Sequence, residues 1–372
     1  MASAVLRCGL LLAFAVALGT PCRAAEPTRP SPARSAAAVR LGVGVPNVRI
    51  AGDNYVALKR VASHLGLKYE LRNKGEAVVL SGVGTRAIVG AGTRDIVVNG
   101  LRVFLGQPSY LHRGDVHVSR IDFERCLAAR LRPGYGVSVI DTPRVIAIDP
   151  GHGGRDHGMI NSPLGINEKT FTLDTARRLK KLLEADGYRV VLTRDDDRYI
   201  ELGERPAIAN RAGADLFISI HFNALRDNTR TSGVEVFTFA PQFQRSTNAW
   251  MPGVKNDAEP QFEPGNAFDY WNSLLAHYVH RPFVTQLKAS DRGKKIMHLG
   301  VLRTLRCPGV LIEAGFLSSD AEARKIATPA YRQQIAQALR DGVHEFSTLI
   351  ATLRQKSRPS TTLSPSRSSG SS

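Results

Sequence analysis

Three short apolar runs in the second half of the chain each lead into a residue that can carry chemistry. The runs and the residues that follow them are 145–148 with His152, 216–220 with His221, and 310–312 with Glu313. Runs this short, bounded by turn residues, are typical of buried strands. Open α/β sheets build their sites at the carboxyl ends of such strands. The pattern therefore predicts a sheet whose chemistry gathers at one edge.

Strand and helix patterns alternate from residue 144 to residue 353. Strands are predicted at 144–149, 188–193, 215–220, 233–239 and 309–313. Leucines and alanines share one helical face in 171–183, and a second apolar stripe predicts a helix over 331–352. Such alternation predicts an α/β fold with a mostly parallel sheet and helices on both faces. The proline-rich, aperiodic segment 240–266 interrupts the pattern and is expected to be a long loop over the edge of the site.

Residues 38–140 follow a different pattern, which predicts a small α+β domain before the α/β domain. Helical patterns cover 58–65 and 121–131, and short alternating runs lie between them. The dipeptide Asn99–Gly100 between two such runs predicts a hairpin turn. No catalytic or metal-binding set stands out here, so the segment is interpreted as a binding or spacer module.

The two ends of the chain differ from the middle in composition. Residues 1–25 combine a positive charge, a short apolar core and a small-residue cleavage site, which predicts a secretory signal peptide. Residues 26–37 are interpreted as a linker, and residues 354–372 as a disordered, basic, Ser/Pro-rich tail. No later run is long and apolar enough to span a membrane. These features predict export, either to a periplasm or to the outside of the cell.

Charge and cysteine content narrow the functional class. The 50 Lys and Arg against 33 Asp and Glu give a net charge of +17, which suits either a solvated basic surface or an anionic polymer as partner. No basic stretch interleaved with aromatic residues is present, so nucleic acid is the least favoured partner. Cys126 and Cys307 would remain after signal removal, and the sequence leaves open whether they pair.

Four residues have the side chains that a zinc hydrolase requires. Glycines around His152 let the backbone present the imidazole, and His221 follows a buried strand. Glu168 stands at the start of a predicted helix. A carboxylate at the rim of an apolar core, as predicted for Glu313, is costly without a metal, water or substrate partner. Two histidines and one glutamate can hold a catalytic zinc, and a second glutamate can handle protons.

The motifs around these residues resemble those of the zinc-dependent N-acetylmuramoyl-L-alanine amidases of bacterial cell separation and spore lysis. The resemblance covers about 144–350, and its motifs are Asp-Pro-Gly-His-Gly-Gly at 149–154, Asn-Glu-Lys at 167–169, Ser-Ile-His-x-Asn-Ala at 219–224 and Val-Leu-x-Glu-x-Gly-Phe-Leu-Ser at 310–318. Ala314 departs from the threonine common in relatives. The segment 38–140 more loosely resembles the stalk-type domain found at the N-terminus of some copper amine oxidases.

This resemblance implies specific roles. His152, Glu168 and His221 would be the ligands of one zinc ion, and Glu313 the general acid/base. Asn223 and Arg292 are candidate substrate contacts. The implied substrate is peptidoglycan, cut between N-acetylmuramic acid and the L-alanine of the stem peptide.

Two alternatives and one regulatory hypothesis accompany this interpretation. The same residues would suit a zinc peptidase that trims stem peptides, and a catalytically silent wall-binding protein is the alternative from another class. In the regulatory hypothesis, segment 240–266 covers the zinc until an activator protein or the wall moves it.

Overall fold

The computed structural model of the chain describes residues 44–225 and 230–357. The predicted signal peptide and linker lie outside the described residues, as does the predicted tail from residue 358 onward. Residues 354–357, predicted as the start of the tail, are the last turn of a helix. Within the described ranges, no helix combines the length and the apolar character that a bilayer span would need.

The first part of the described chain consists mainly of short strands. Its elements are β1 (Val48–Ile50), β2 (Asp53–Ala57), α1 (Leu58–Leu65), β3 (Lys68–Arg72), β4 (Ala77–Gly82), β5 (Thr85–Gly90), β6 (Asp95–Val98), β7 (Leu101–Phe104), β8 (Tyr110–His112), β9 (Asp115–Ser119), α2 (Arg120–Asp122) and α3 (Ala128–Leu131), with a π-helical turn, Phe123–Leu127, between α2 and α3. The predicted hairpin turn is present between β6 and β7, where Val98 pairs with Leu101.

The second part alternates strands with longer helices. Its elements are β10 (Val145–Pro150), β11 (Ile160–Asn161), β12 (Ile166–Asn167), α4 (Glu168–Ala185), β13 (Arg189–Leu192), α5 (Glu204–Arg211), β14 (Leu216–Asn223), β15 (Val234–Phe239), α6 (Asp269–Thr285), β16 (Asp291–Met297), α7 (Gly300–Arg303), β17 (Gly309–Phe316), α8 (Asp320–Ala327) and α9 (Pro329–Ser357). The five predicted strands and both predicted helices are present, with small differences at their ends.

The strands that the second part contributes to the main sheet are mostly parallel, as predicted, because only the β15–β17 pair is antiparallel. The main sheet as a whole is mixed, since it also includes strands of the first part. Its eleven strands lie in the order β13-β10-β14-β17-β15-β16-β7-β6-β5-β4-β3. The first four are parallel, β15 then reverses direction against β17, and β16 and β7 run parallel to β15. The strands from β7 to β3 are joined by hairpins and are therefore antiparallel.

Alternate residues of the central strands face two separate cores. Ile146 and Ile148 belong to the larger hydrophobic cluster, which includes residues of α4, α6 and α9, while Ala147 belongs to a smaller cluster under α5 and α7. Because successive strand residues point to opposite faces, helices cover this part of the sheet on both sides. Cys126 and Cys307 are both buried, in different clusters, so the structure does not pair them.

The sheet continues across the predicted domain boundary near residue 140. β7 of the first part pairs with β16 of the second, with Val103 opposite Lys294. The Arg102 amide also donates a hydrogen bond to Asp291 Oδ2, at 2.7 Å. The described residues belong to one compact unit, and a separate domain over 38–140 stays a prediction.

The loop 240–266 lies at the opposite end of the central strands from the predicted site. It follows β15, and because β15 is antiparallel to β17, its carboxyl end lies beside Gly309, at the start of β17. The loop is held there by contacts such as those of Glu259 with Arg303, at 2.6 and 2.8 Å. The expectation that this loop covers the zinc site is therefore wrong. The hypothesis rested on the length of the segment and on its place after the predicted strand 233–239, and neither fixes the direction of that strand relative to β17.

Candidate metal and catalytic site

The first ligand candidate stands on a tight turn at the end of β10. His152 has a left-handed backbone, with φ of 62°, which few residues other than glycine adopt readily. Gly151, just before it, lies so close to His221 that a Cβ there would overlap the imidazole ring. The turn thus needs glycine at 151, and it brings the two imidazoles within reach of one another.

A buried ion pair fixes this turn from beneath. Asp149 accepts hydrogen bonds from Arg205 Nη1 at 2.8 Å, Thr193 Oγ1 at 2.6 Å and Ser219 Oγ at 2.7 Å. Arg205 also donates to the His152 carbonyl at 2.9 Å. Burial alone would raise the pKa of Asp149, but Arg205 and the two hydroxyl donors outweigh it and lower that pKa. The carboxylate therefore stays ionised and holds β10, β13, β14 and α5 together.

His152, Glu168 and His221 converge. Their ligand atoms lie within 4.8 Å of one another. Glu168 Oε1 lies 3.1 Å from both His152 Nε2 and His221 Nδ1, and those two nitrogens are 3.2 Å apart. The cluster combines two imidazoles with one carboxylate, the donor set of a catalytic zinc site.

Glu168 is the first residue of α4, and backbone amides hold its carboxylate. Its Oε2 accepts from Met159 N at 2.9 Å, and its Oε1 from Phe222 N at 3.0 Å. The side chain is 6% exposed. Burial would raise the pKa of Glu168, but hydrogen bonds from His152 and His221 outweigh it and lower that pKa. The carboxylate is therefore available as an anionic ligand.

Asp156 orients the first histidine. Its Oδ2 lies 2.9 Å from His152 Nδ1, and its Oδ1 accepts from Gly158 N at 3.0 Å. A carboxylate on Nδ1 favours the proton there and leaves Nε2 as the coordinating atom. His157, the other neighbour considered from the sequence, is exposed.

Glu313 lies in the strand next to His221. The β14–β17 register places His221 opposite Glu313, and the β17–β15 register places Glu313 opposite Glu235. Glu313 Oε2 is buried and has no hydrogen-bond partner among the described residues. Burial, followed by the neighbouring charges of Glu168 and Glu235, raises the pKa of Glu313 well above its usual range, and Lys295 opposes this. A buried carboxyl without a partner is the type of group that serves in proton transfer.

A second polar cluster lies on the other side of Glu313. Glu235 receives hydrogen bonds from Asn223 Nδ2 at 3.1 Å, Arg292 Nε at 2.9 Å and Lys295 Nζ at 2.7 Å. Both predicted substrate contacts, Asn223 and Arg292, thus meet on one carboxylate. The sequence analysis missed Glu235 and Lys295. No sequence pattern marks Lys295. Glu235 could have been found only by placing β15 in the middle of the sheet, beside β17.

Residues 146–345, more than half of the chain, match the family described as N-acetylmuramoyl-L-alanine amidase. The chain belongs to the N-acetylmuramoyl-L-alanine amidase family. Residues 152, 168, 221 and 313 all lie within the matched stretch, whereas residues 44–131 lie outside it.

Three amidases illustrate the relationship. The chain is 33% identical over 237 residues to a probable N-acetylmuramoyl-L-alanine amidase AmiB of Haemophilus influenzae, which covers 57% of this chain and 54% of the relative. It is 32% identical over 249 residues to the amidase AmiC of Escherichia coli O6:H1, covering 61% and 58%. A crystal structure of the Clostridium difficile 630 amidase shares 30% identity with a TM-score of 0.45, covering 55% and 97%. The chain spans little more than half the length of the curated relatives named here.

Proposed function

We propose that this amidase-family chain is an exported, zinc-dependent N-acetylmuramoyl-L-alanine amidase. Its substrate would be peptidoglycan, and it would hydrolyse the amide between N-acetylmuramic acid and the L-alanine of the stem peptide. One observation carries the proposal: two imidazoles and a carboxylate converge, and an unpartnered buried carboxyl lies in the adjacent strand. Export rests on the predicted signal peptide at residues 1–25.

The three converging residues fit zinc. Three protein ligands leave a fourth position for water or substrate, as catalytic zinc sites require. His152 has its Nδ1 bound to Asp156, so its Nε2 is left for the metal. Zinc held there would supply Lewis acidity to water and to the scissile carbonyl, and its charge would offset that of Glu168 beside Glu313.

Glu313 would move the proton. As a carboxylate it would accept a proton from the water that attacks the scissile carbon. As a carboxylic acid, the form that its burial favours, it would give that proton to the nitrogen of the leaving L-alanine. The amide C–N bond breaks, the muramic acid keeps a carboxylate, and the stem peptide leaves with a free amine.

The proposal is tested with purified peptidoglycan, zinc and two variants. We expect the native chain to release stem peptides with a free L-alanine amine, detected by mass spectrometry. Glu313→Gln should lower kcat by about 100-fold or more, since proton transfer by a placed group contributes about 10²–10⁴. The control Glu184→Gln removes an exposed carboxyl of α4 and should leave turnover unchanged.

Zinc content separates catalysis from binding in this experiment. Glu313→Gln should retain stoichiometric zinc, because Glu313 is not among the three ligands. Stem peptides cut at a different bond would favour the zinc-peptidase alternative, and a zinc-loaded native chain without turnover would contradict the proposal.

A further inference from the structure

The polar cluster around Glu235 has an excess of cationic groups. Glu235 is only 5% exposed, yet its Oε1 alone accepts from both Arg292 and Lys295. One buried carboxylate could be neutralised by one cation. With two, the cluster of Glu235, Arg292 and Lys295 carries one net positive charge beside the proposed acid/base.

Arg292 has hydrogen-bonding capacity left for a ligand. Its Nε binds Glu235, and its guanidinium lies over the ring of Phe316, 5.1 Å from the centroid. Its two Nη groups make no hydrogen bond to any described residue, and the side chain is 34% exposed. Glu235 and the Phe316 ring thus fix the orientation of the guanidinium. Its two Nη groups form a preorganised pair of donors, which suits a carboxylate.

The nearby Glu322 does not occupy these donors. Its Oε2 accepts from the backbone amide of Phe316 at 2.8 Å, and both of its oxygens lie 3.2 Å from the amide of Gly233. Glu322 is thus bound by backbone groups of the same sheet edge. The Nη donors of Arg292 are therefore left available.

The sheet sets the distance from the proposed point of cleavage. β16, which carries Arg292, is the second strand from β17, which carries Glu313. With strands about 4.8 Å apart, the two residues are separated by roughly 10 Å across the sheet. An extended peptide covers about 3.5 Å per residue. A group bound by Arg292 would therefore belong to the second or third residue beyond the cleaved amide.

We propose that Arg292, supported by Glu235 and Lys295, forms a subsite for a free carboxylate in the peptide part of the substrate. The inference rests on the proposed function and deepens it by naming the group that is recognised. In a stem peptide whose second residue is glutamate linked through its side chain, the α-carboxylate lies at the required distance. Lys295 provides the second positive charge, and Asn223 holds the other oxygen of Glu235.

The test compares two soluble N-acetylmuramoyl tripeptides that differ in one group. The second residue bears either a free α-carboxylate or an α-carboxamide of the same shape. We expect the native, zinc-loaded chain to cut the carboxylate substrate with a kcat/KM about tenfold higher, mainly through a lower KM, because a charge-assisted pair is lost with the amide. Arg292→Gln should remove that preference by raising KM for the carboxylate substrate alone.

Arg306→Gln is the matched control, since it removes the same charge from an exposed position near the start of β17. It should keep the tenfold preference. A native chain that cuts both substrates equally, or an Arg292→Gln chain that keeps the preference, would overturn the subsite. An equal fall of kcat on both substrates would also overturn it, by showing that Arg292 only supports Glu235. Failure of the native chain to release a free L-alanine amine from either substrate would instead contradict the proposed function.

Discussion

Asp156 decides which nitrogen of His152 faces the other two ligand candidates. The carboxylate lies against Nδ1, and Nε2 is 3.1 Å from Glu168. The turn that carries His152 is itself held by Arg205 on its carbonyl. A side chain fixed at the ring and at the backbone loses little freedom when it binds a metal, so the geometry favours tight binding.

Replacing Asp156 should therefore weaken zinc binding without removing a ligand. We expect Asp156→Asn to bind zinc about 10- to 100-fold more weakly, as is typical when the partner of a metal-bound histidine is changed. Competition with a chelator of known affinity would measure the change. Asp195→Asn, at an exposed position, should bind zinc like the native chain. Equal affinity in both variants would show that Asp156 does not orient His152.

Single residues differ in how far the sequence reveals them. His152, His221 and Glu313 stand at the ends of apolar runs, so the pattern alone predicted them as a group, and the structure brings the two histidines together with Glu168. Glu235 sits in an alternating strand, where a polar residue ordinarily faces solvent. It is enclosed by side chains of nearby strands, namely Asn223 of β14 and Arg292 and Lys295 of β16, so its burial depends on the strand order.

Among the elements, strand β15 has the largest effect on the regulatory hypothesis, because it runs antiparallel to β17. A strand parallel to β17 would have placed the loop 240–266 at the proposed zinc site. Because β15 is antiparallel to β17, the loop instead lies at the opposite end of these strands. There Arg303 contacts both Glu259 and Glu263. Loosening the loop should not affect access to the site.

Arg303→Ala tests this directly. We expect it to increase proteolysis within 240–266, because two carboxylates lose their shared partner, while turnover of soluble muropeptides stays within about twofold of the native chain. The neighbouring Arg306→Ala should change neither. A rise in turnover of Arg303→Ala alone would revive the idea that this loop restrains the enzyme.

Helix α6 shows why one long element was not predicted. Thirteen of its 17 residues are buried, and it includes Pro282. A helix buried on most sides has no polar face and therefore no 3–4 stripe. By contrast, α4 and α9 each keep an exposed side, and their stripes predicted them correctly.

At the scale of the whole molecule, the net positive charge suits binding to a large anionic substrate. The chain carries +17, and the first part contributes exposed arginines at 49, 60 and 86. We propose that this part anchors the amidase to anionic wall polymers. Such an interaction between exposed charges weakens as salt shortens the screening length.

A triple variant tests where that attraction lies. Arg49→Gln, Arg60→Gln and Arg86→Gln together should lower the fraction of protein that sediments with peptidoglycan by severalfold at about 0.05 M salt, and much less at about 0.5 M, where exposed charges are screened. The control removes three exposed arginines of the second part, at 211, 306 and 324. An equal loss in both variants would show that net charge matters and that the first part has no special role.

The pairing of β7 with β16 has a consequence for any fragment of this chain. The family stretch begins at residue 146, after β7, so a fragment cut at that boundary would lose the strand that covers β16. Its backbone amides and carbonyls would then form an open template for another copy of the same fragment. By covering this side of β16, the first part of the chain disfavours such pairing between copies.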